Sequence, residues 1–180
     1  NATYGHISDW NTSAVTTMQG AFENRATFND YIGDWDVSNV TNTVKMFRGA
    51  STFNIDISDW NTSSVTTMTK MFADATNFNQ DISRWDTSNV NAMGGVFLRA
   101  TKFNQDLSNW KISSVNVMDQ IFNNNPSLSA DNKGLIHKTF SANPNWSYDW
   151  NVFIRASPPS FAQVHIPIIK TSEEKYFEKE

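Results

Sequence analysis

A tryptophan returns every 25 residues, at Trp10, Trp35, Trp60, Trp85 and Trp110, and a fixed set of companions travels with it. Val follows five places later, at Val15, Val40, Val65, Val90 and Val115. Phe follows at twelve, as Phe22, Phe47, Phe72, Phe97 and Phe122, and a second aromatic at eighteen, as Phe28, Phe53, Phe78 and Phe103, with Leu128 in the last copy. So strict a period means one small unit stacked on itself, each copy shielding its apolar side on its neighbours. Residues 1–125 are read as five repeats, 126–157 as a C-terminal cap, and 158–180 as a Pro-led tail or linker with an apolar strand.

Within the third copy, Val65, Met68, Met71 and Phe72 fall at i, i+3, i+6 and i+7, a stripe that predicts a helix of about three turns. Ser13, Ser38, Ser63, Ser88 and Ser113 stand where such helices would take an N-cap. The stripe breaks once, where Thr43 replaces the Met of the other copies. A short extended segment around Ile32, Ile57, Ile82 and Leu107 is expected to pair with its counterpart in the next coil. The fold expected is therefore an α/β solenoid of five stacked strand-plus-helix repeats with a C-terminal helical cap. The row Asn29, Asn54, Asn79 and Asn104 is read as an amide ladder satisfying a tight bend.

The best candidates for a site are columns of like charge. Asp56, Asp81 and Asp106 recur at one repeat position, and Asp9, Asp34 and Asp59 at another. Stacked carboxylates repel unless solvated or bridged, and Ca²⁺ takes such oxygen clusters. Turn capping by solvated carboxylates is the competing reading, favoured because no Ca²⁺ loop motif accompanies them. No other cofactor is expected. His6, His137 and His165 lie in no metal or catalytic motif, His6 falling at the Asp56 position of its own copy and His137 reading as a packing residue. Stacked Thr16, Thr41 and Thr66 suggest an ice-matching array, but the column turns into Asn91 and Asn116. Asn-x-Ser/Thr triplets start at Asn1, Asn11, Asn39, Asn61 and Asn145.

Past the fifth repeat, Asp131–Phe140 reads as a further helix capped by Ser129 or Asp131, with Leu135, Ile136, Phe140, Trp146 and Trp150 lying over the last coil. After Ser157-Pro158-Pro159-Ser160 comes an apolar strand whose Val164, Ile166, Ile168 and Ile169 are candidates for assembly. The chain opens on Asn1-Ala2-Thr3-Tyr4, already close to repeat sequence, so either a leader has been removed or the chain is a piece of a longer protein.

The pattern Ile-Ser-x-Trp-Asn/Asp-Thr-Ser-Ser/Asn-Val-Thr-x-Met-x-x-Met-Phe, carried best by 57–81 and 82–106, resembles the BspA-like repeats of DUF285 type, which are related to leucine-rich repeats. The resemblance covers about residues 4–125. It implies a leucine-rich-repeat-like solenoid in a secreted or cell-envelope protein used for adhesion or protein–protein contact. It implies no common catalytic site.

Net charge −4, a pI near 5.3 and the absence of any basic run argue against nucleic acid as a partner. No apolar run reaches the ~20 residues that cross a bilayer, and no cysteine supplies a thiolate ligand or nucleophile. The expectation is a non-enzymatic extracellular or cell-surface module whose partner is a protein or glycan. The alternatives are a subunit of a head-to-tail filament that exchanges the Val164–Ile169 strand between copies, and a glycan-binding module.

Overall fold

In the computed structural model, residues 5–154 are described. The 158–180 tail, with Val164, Ile166, Ile168 and Ile169, lies outside them. Each 25-residue repeat forms one coil of a stack, and the coil is made of turns. Among the described residues there is one α-helix, α1 at Ala130–Phe140, and two short 3₁₀ turns at Ile7–Asp9 and Asn151–Phe153. The expected α/β solenoid, with a three-turn helix and a pairing strand in every leucine-rich-repeat-like unit, is therefore corrected. The segment read as a helix is a chain of tight turns, and no sheet forms among the described residues.

The turn geometry explains the misreading. Ala21 N–H closes on Met18 O, Glu23 N–H on Gly20 O, and Arg25 N–H on Phe22 O, at 3.1, 3.0 and 3.1 Å. The third residue of the first and last of these turns has positive φ, at Gly20 (63°) and Asn24 (59°), the mark of a type II turn. Lys45, Lys70, Gly95 and Gln120 repeat the first left-handed site, and Gly49, Asp74, Arg99 and Asn124 the second. Overlapping reversals that each close across three residues bring i, i+3 and i+6 inward much as a helix does, so the apolar stripe is the same. A left-handed residue twice per coil forbids the helix and turns alternate N–H groups along the stack.

Those N–H groups hold the coils together. Met18, Gly20, Phe22 and Asn24 donate to Asn42, Val44, Met46 and Arg48 carbonyls of the next coil, at 2.6–2.9 Å. The third coil does the same, Met68, Lys70, Phe72 and Asp74 donating to Ala92, Gly94, Val96 and Leu98. Isolated parallel bridges join Thr17, Asn42, Thr67, Ala92 and Val117. They fall inside the segment expected to be helical. The segment expected to pair instead makes a turn, Trp60 N–H meeting Ile57 O at 3.2 Å.

Inside the coils the rings form ladders. The Phe22 row stacks at 5.5–5.8 Å centroid spacing, and in the first four coils each ring also lies 3.8–4.0 Å from the second Phe of its own coil. Offset stacking of this kind adds about 0.5–1.5 kcal/mol per pair beyond area burial. Trp35, Trp60, Trp85 and Trp110 each fix the indole by donating Nε1–H to a carbonyl 28 residues back, as Trp60 does to Ile32 O and Trp85 to Ile57 O. Trp10 in the first described coil is 45% exposed against 1% for Trp110. Thr43 keeps the Met position, buried, with its hydroxyl donating to Thr67 O at 3.3 Å.

α1 closes over the fifth coil. Ser129 is its N-cap, accepting from Asn132 N–H at 3.2 Å. Ile136 and Phe140 are fully buried, while Leu135 faces outward. Asn143 donates from Nδ2 to Ile112 and Val115 carbonyls, tying the cap to the coil. His137 accepts the Trp146 indole N–H at Nδ1 and faces Asn151 Oδ1 with Nε2, so it carries its proton on Nε2 and acts as a packing residue.

Candidate interaction surface

The Asp9, Asp34 and Asp59 column takes side-chain donors, Ser8 and Tyr31 hydroxyls and the Arg84 guanidinium at 2.9–3.0 Å, whereas the other acidic column is a row of turn acceptors. Asp56, Asp81 and Asp106 each take the backbone N–H two residues on, at Ser58, Ser83 and Ser108, over 2.8–2.9 Å. His6 makes the same bond to Ser8 through Nδ1 at 3.3 Å. A second column one place after Trp does likewise: Asp36 accepts from Ser38, Asp86 from Ser88, and Asn11 and Asn61 from Ser13 and Ser63. Four of the five serines expected to cap helices, Ser13, Ser38, Ser63 and Ser88, are thus donors in Asx turns. Hydrogen bonds from Ser38, Ser58, Ser83 and Ser88 hold the Asp36, Asp56, Asp81 and Asp86 carboxyls below the usual carboxylate range. No group of three His, Cys, Asp or Glu suited to a metal ion occurs among the described residues.

The asparagine row is a ladder. Asn54, Asn79 and Asn104 each donate their backbone N–H to the Oδ1 of the asparagine one coil back, at 2.8–2.9 Å. The ladder is handed to the cap, where Ser129 N–H and Asn132 Nδ2 both bond Asn104 Oδ1.

Two surfaces remain for a partner. One is lateral: Thr16, Thr41, Thr66, Asn91 and Asn116 form an exposed column beside the parallel bridges. Each backbone N–H there bonds the preceding carbonyl, Thr41 to Thr16 and Thr66 to Thr41 at 2.9 Å, and the threonine hydroxyls reinforce the same carbonyls. The threonine column thus lies on a bridged edge and not on a helix. The second is an open cleft of about 580 Å³ at the capped end, bounded by Phe122, Asn125, Lys133, Tyr148 and Trp150 among others. The sequence reading missed it, although one signal was present: Asn125 stands where the inner coils have Ala50, Ala75 and Ala100.

The architecture defines a tandem-repeat protein built from stacked turns. The chain belongs to the family described as "Mycoplasma protein of unknown function, DUF285", which matches residues 1–83 and 55–143. No curated protein and no solved structure matches the chain. No helix among the described residues is long and apolar enough to cross a membrane.

Proposed function

We propose that the chain is a non-enzymatic contact module of the cell exterior, binding a protein partner along the lateral Thr16–Asn116 column. The observation that carries this reading is the locked backbone of that face. Every exposed side chain in the column rises from a carbonyl or N–H already bonded to the neighbouring coil, so the face is presented without a backbone ordering cost on binding. The Asp56, Asp81 and Asp106 carboxylates are meanwhile committed to turn capping. The family's unassigned function and the composition rich in Asn, Ser and Thr are compatible with a surface role.

A photo-cross-linking side chain placed at Thr66 in cells that make the protein tests this. A discrete adduct with a second polypeptide, lost when Thr41 and Asn91 are both changed to Arg, is the expected result. An adduct with another copy of the chain would favour the filament reading. Cross-linking no greater than from the same probe at Lys138, on the cap, would end the proposal. Cleavage of the adduct by protease added to intact cells checks the exterior location.

A further inference from the structure

We infer that the cleft at the capped end binds an extended, acidic polypeptide segment through the unfilled donors of the last coil. The peptide groups of the turn run are all aligned. In each inner coil the four N–H groups of the run point toward the next coil and the four matching carbonyls point back, giving four parallel columns of hydrogen-bonded peptide dipoles. Their positive ends emerge at Met118, Gln120, Phe122 and Asn124. Aligned peptide dipoles favour negative charge at the N–H end, as at a helix N-terminus.

There is no sixth coil to accept these donors. Tyr148 substitutes for one carbonyl, its hydroxyl accepting Phe122 N–H at 3.0 Å. Met118, Gln120 and Asn124 N–H have no partner among the described residues, although Met93, Gly95 and Arg99, their equivalents one coil back, donate at 2.8, 2.8 and 2.9 Å. The second observation is independent. Asn125 is 7% exposed, and neither Oδ1 nor Nδ2 of its amide has a hydrogen-bond partner. An unpaired amide in a row of alanines, just beneath the wall of the cleft, is a donor–acceptor pair matching one peptide group. Lys133 lies on the same cleft with its ammonium 6.0 Å from the Trp150 ring centre and 5.3 Å from that of Phe153, and no described carboxylate pairs with it.

The cleft is thus rich in donors: the Asn124 N–H, the Tyr148 hydroxyl, the Asn125 amide and an ammonium. Carbonyls and carboxylates satisfy that set, whereas a sugar brings as many hydroxyl donors as acceptors. An extended chain adding to an edge supplies carbonyls at regular intervals, an acidic side chain answers Lys133, and an apolar side chain rests on Phe122 and Trp150.

The test is an amide-resolved NMR titration of the intact chain with a blocked peptide, acetyl-Glu-Phe-Glu-Phe-Glu-amide. The Gln-for-Glu peptide and a galacturonate oligosaccharide serve as comparisons. Shifts concentrated at the Phe122 and Asn124 amides and the Asn125 side chain, all on the cleft, are expected. Asn125→Ala and Lys133→Gln should each weaken binding about tenfold, the worth of one buried or charge-assisted hydrogen bond. Asn125→Ala restores the alanine of the inner coils, so its melting temperature should hold or rise while binding falls. A lower melting temperature would assign Asn125 to structure and overturn the site. So would shifts that the variants leave unchanged, equal binding of the Gln peptide, or stronger binding of the oligosaccharide at the same amides. If Glu173→Gln with Glu174→Gln moves those amides without added peptide, the occupant is the chain's own acidic segment and a separate partner is excluded. The lateral-face reading stands or falls separately, since its cross-linking site lies on a different surface.

Discussion

Lys45 holds φ at 57°, a left-handed conformation that costs a non-glycine residue roughly 1–2 kcal/mol. The site tolerates this because its N–H is committed to Thr69 O at 3.0 Å and a continued helix is not on offer. The sign of one substitution therefore separates a turn from a helix. In a helix interior Lys45→Gly would destabilise by about 1 kcal/mol; at this turn it should leave the melting temperature unchanged or raise it, because relief of strain offsets the entropy of glycine. Lys45→Val, β-branched in the same conformation, should cost about 1–3 kcal/mol by denaturant titration. The signal was legible in hindsight. One repeat position reads Asn24, Gly49, Asp74, Arg99 and Asn124, and such enrichment in Gly, Asn and Asp marks left-handed backbone. The aspartates have their own test. The Asp36, Asp56, Asp81 and Asp86 carboxyls are held below the ordinary range by serine donors, so they stay ionised longer in the folded chain than in the unfolded one. Their contribution is complete above the unfolded value, about pH 4, and is lost as pH falls through the lowered folded value. The melting temperature should be flat from neutral to mildly acidic pH and decline below about pH 4. Asp56→Asn keeps the acceptor, as Asn11 and Asn61 already do, and should shallow that decline; Asp56→Ala should lower stability at every pH.

At the level of elements, the repeat period, the inward rows and the asparagine ladder were readable, but the element type was not. Apolar periodicity reports which side chains face inward, and a run of three-residue turns shares that with a helix. What separates them is backbone preference, and Thr66, Thr67 and Thr69 in one short stretch are poor helix formers. The serine before the stripe misled for a related reason. An Asp or Asn two places earlier made it a donor in an Asx turn, while Ser129, without that partner, caps the real helix. The cap cleft escaped the sequence reading because it depends on what is missing beyond the fifth coil, which no repeat position encodes. α1 also carries a local constraint, since a Cβ at Gly134 would collide with the Phe153 carbonyl. Alanine normally favours a helix over glycine by about 1 kcal/mol. Here the collision with backbone dominates, and Gly134→Ala should destabilise by about 1–3 kcal/mol while loosening the Asn151–Phe153 turn. Amide exchange at Phe153 and Ile154, whose N–H groups bond Trp150 and Asn151, reads the loosening directly.

For the whole molecule, stability follows from the contacts between adjacent coils, so position in the stack sets the cost of a defect. Phe72 stacks on Phe47 at 5.6 Å and on Phe97 at 5.8 Å, besides Phe78 in its own coil, and is fully buried. Phe22, in the first described coil, meets Phe47 on one side and Phe28 within the coil. Truncating either removes a ring, but only Phe72→Ala opens a void between two occupied coils and weakens both interfaces. It should cost about 3–5 kcal/mol, the range for a large aromatic removed from a core, and Phe22→Ala clearly less. The hydrogen-bond columns add a second readout. Phe72 N–H donates to Val96 and Phe47 N–H to Met71, so a weakened central coil should speed amide exchange in the coils on both sides. With Phe22→Ala the faster exchange should stay near the first two coils. Equal costs and equally spread exchange for the two variants would mean that the chain melts as a single cooperative block, and that the capped and first coils are as tightly coupled as neighbours.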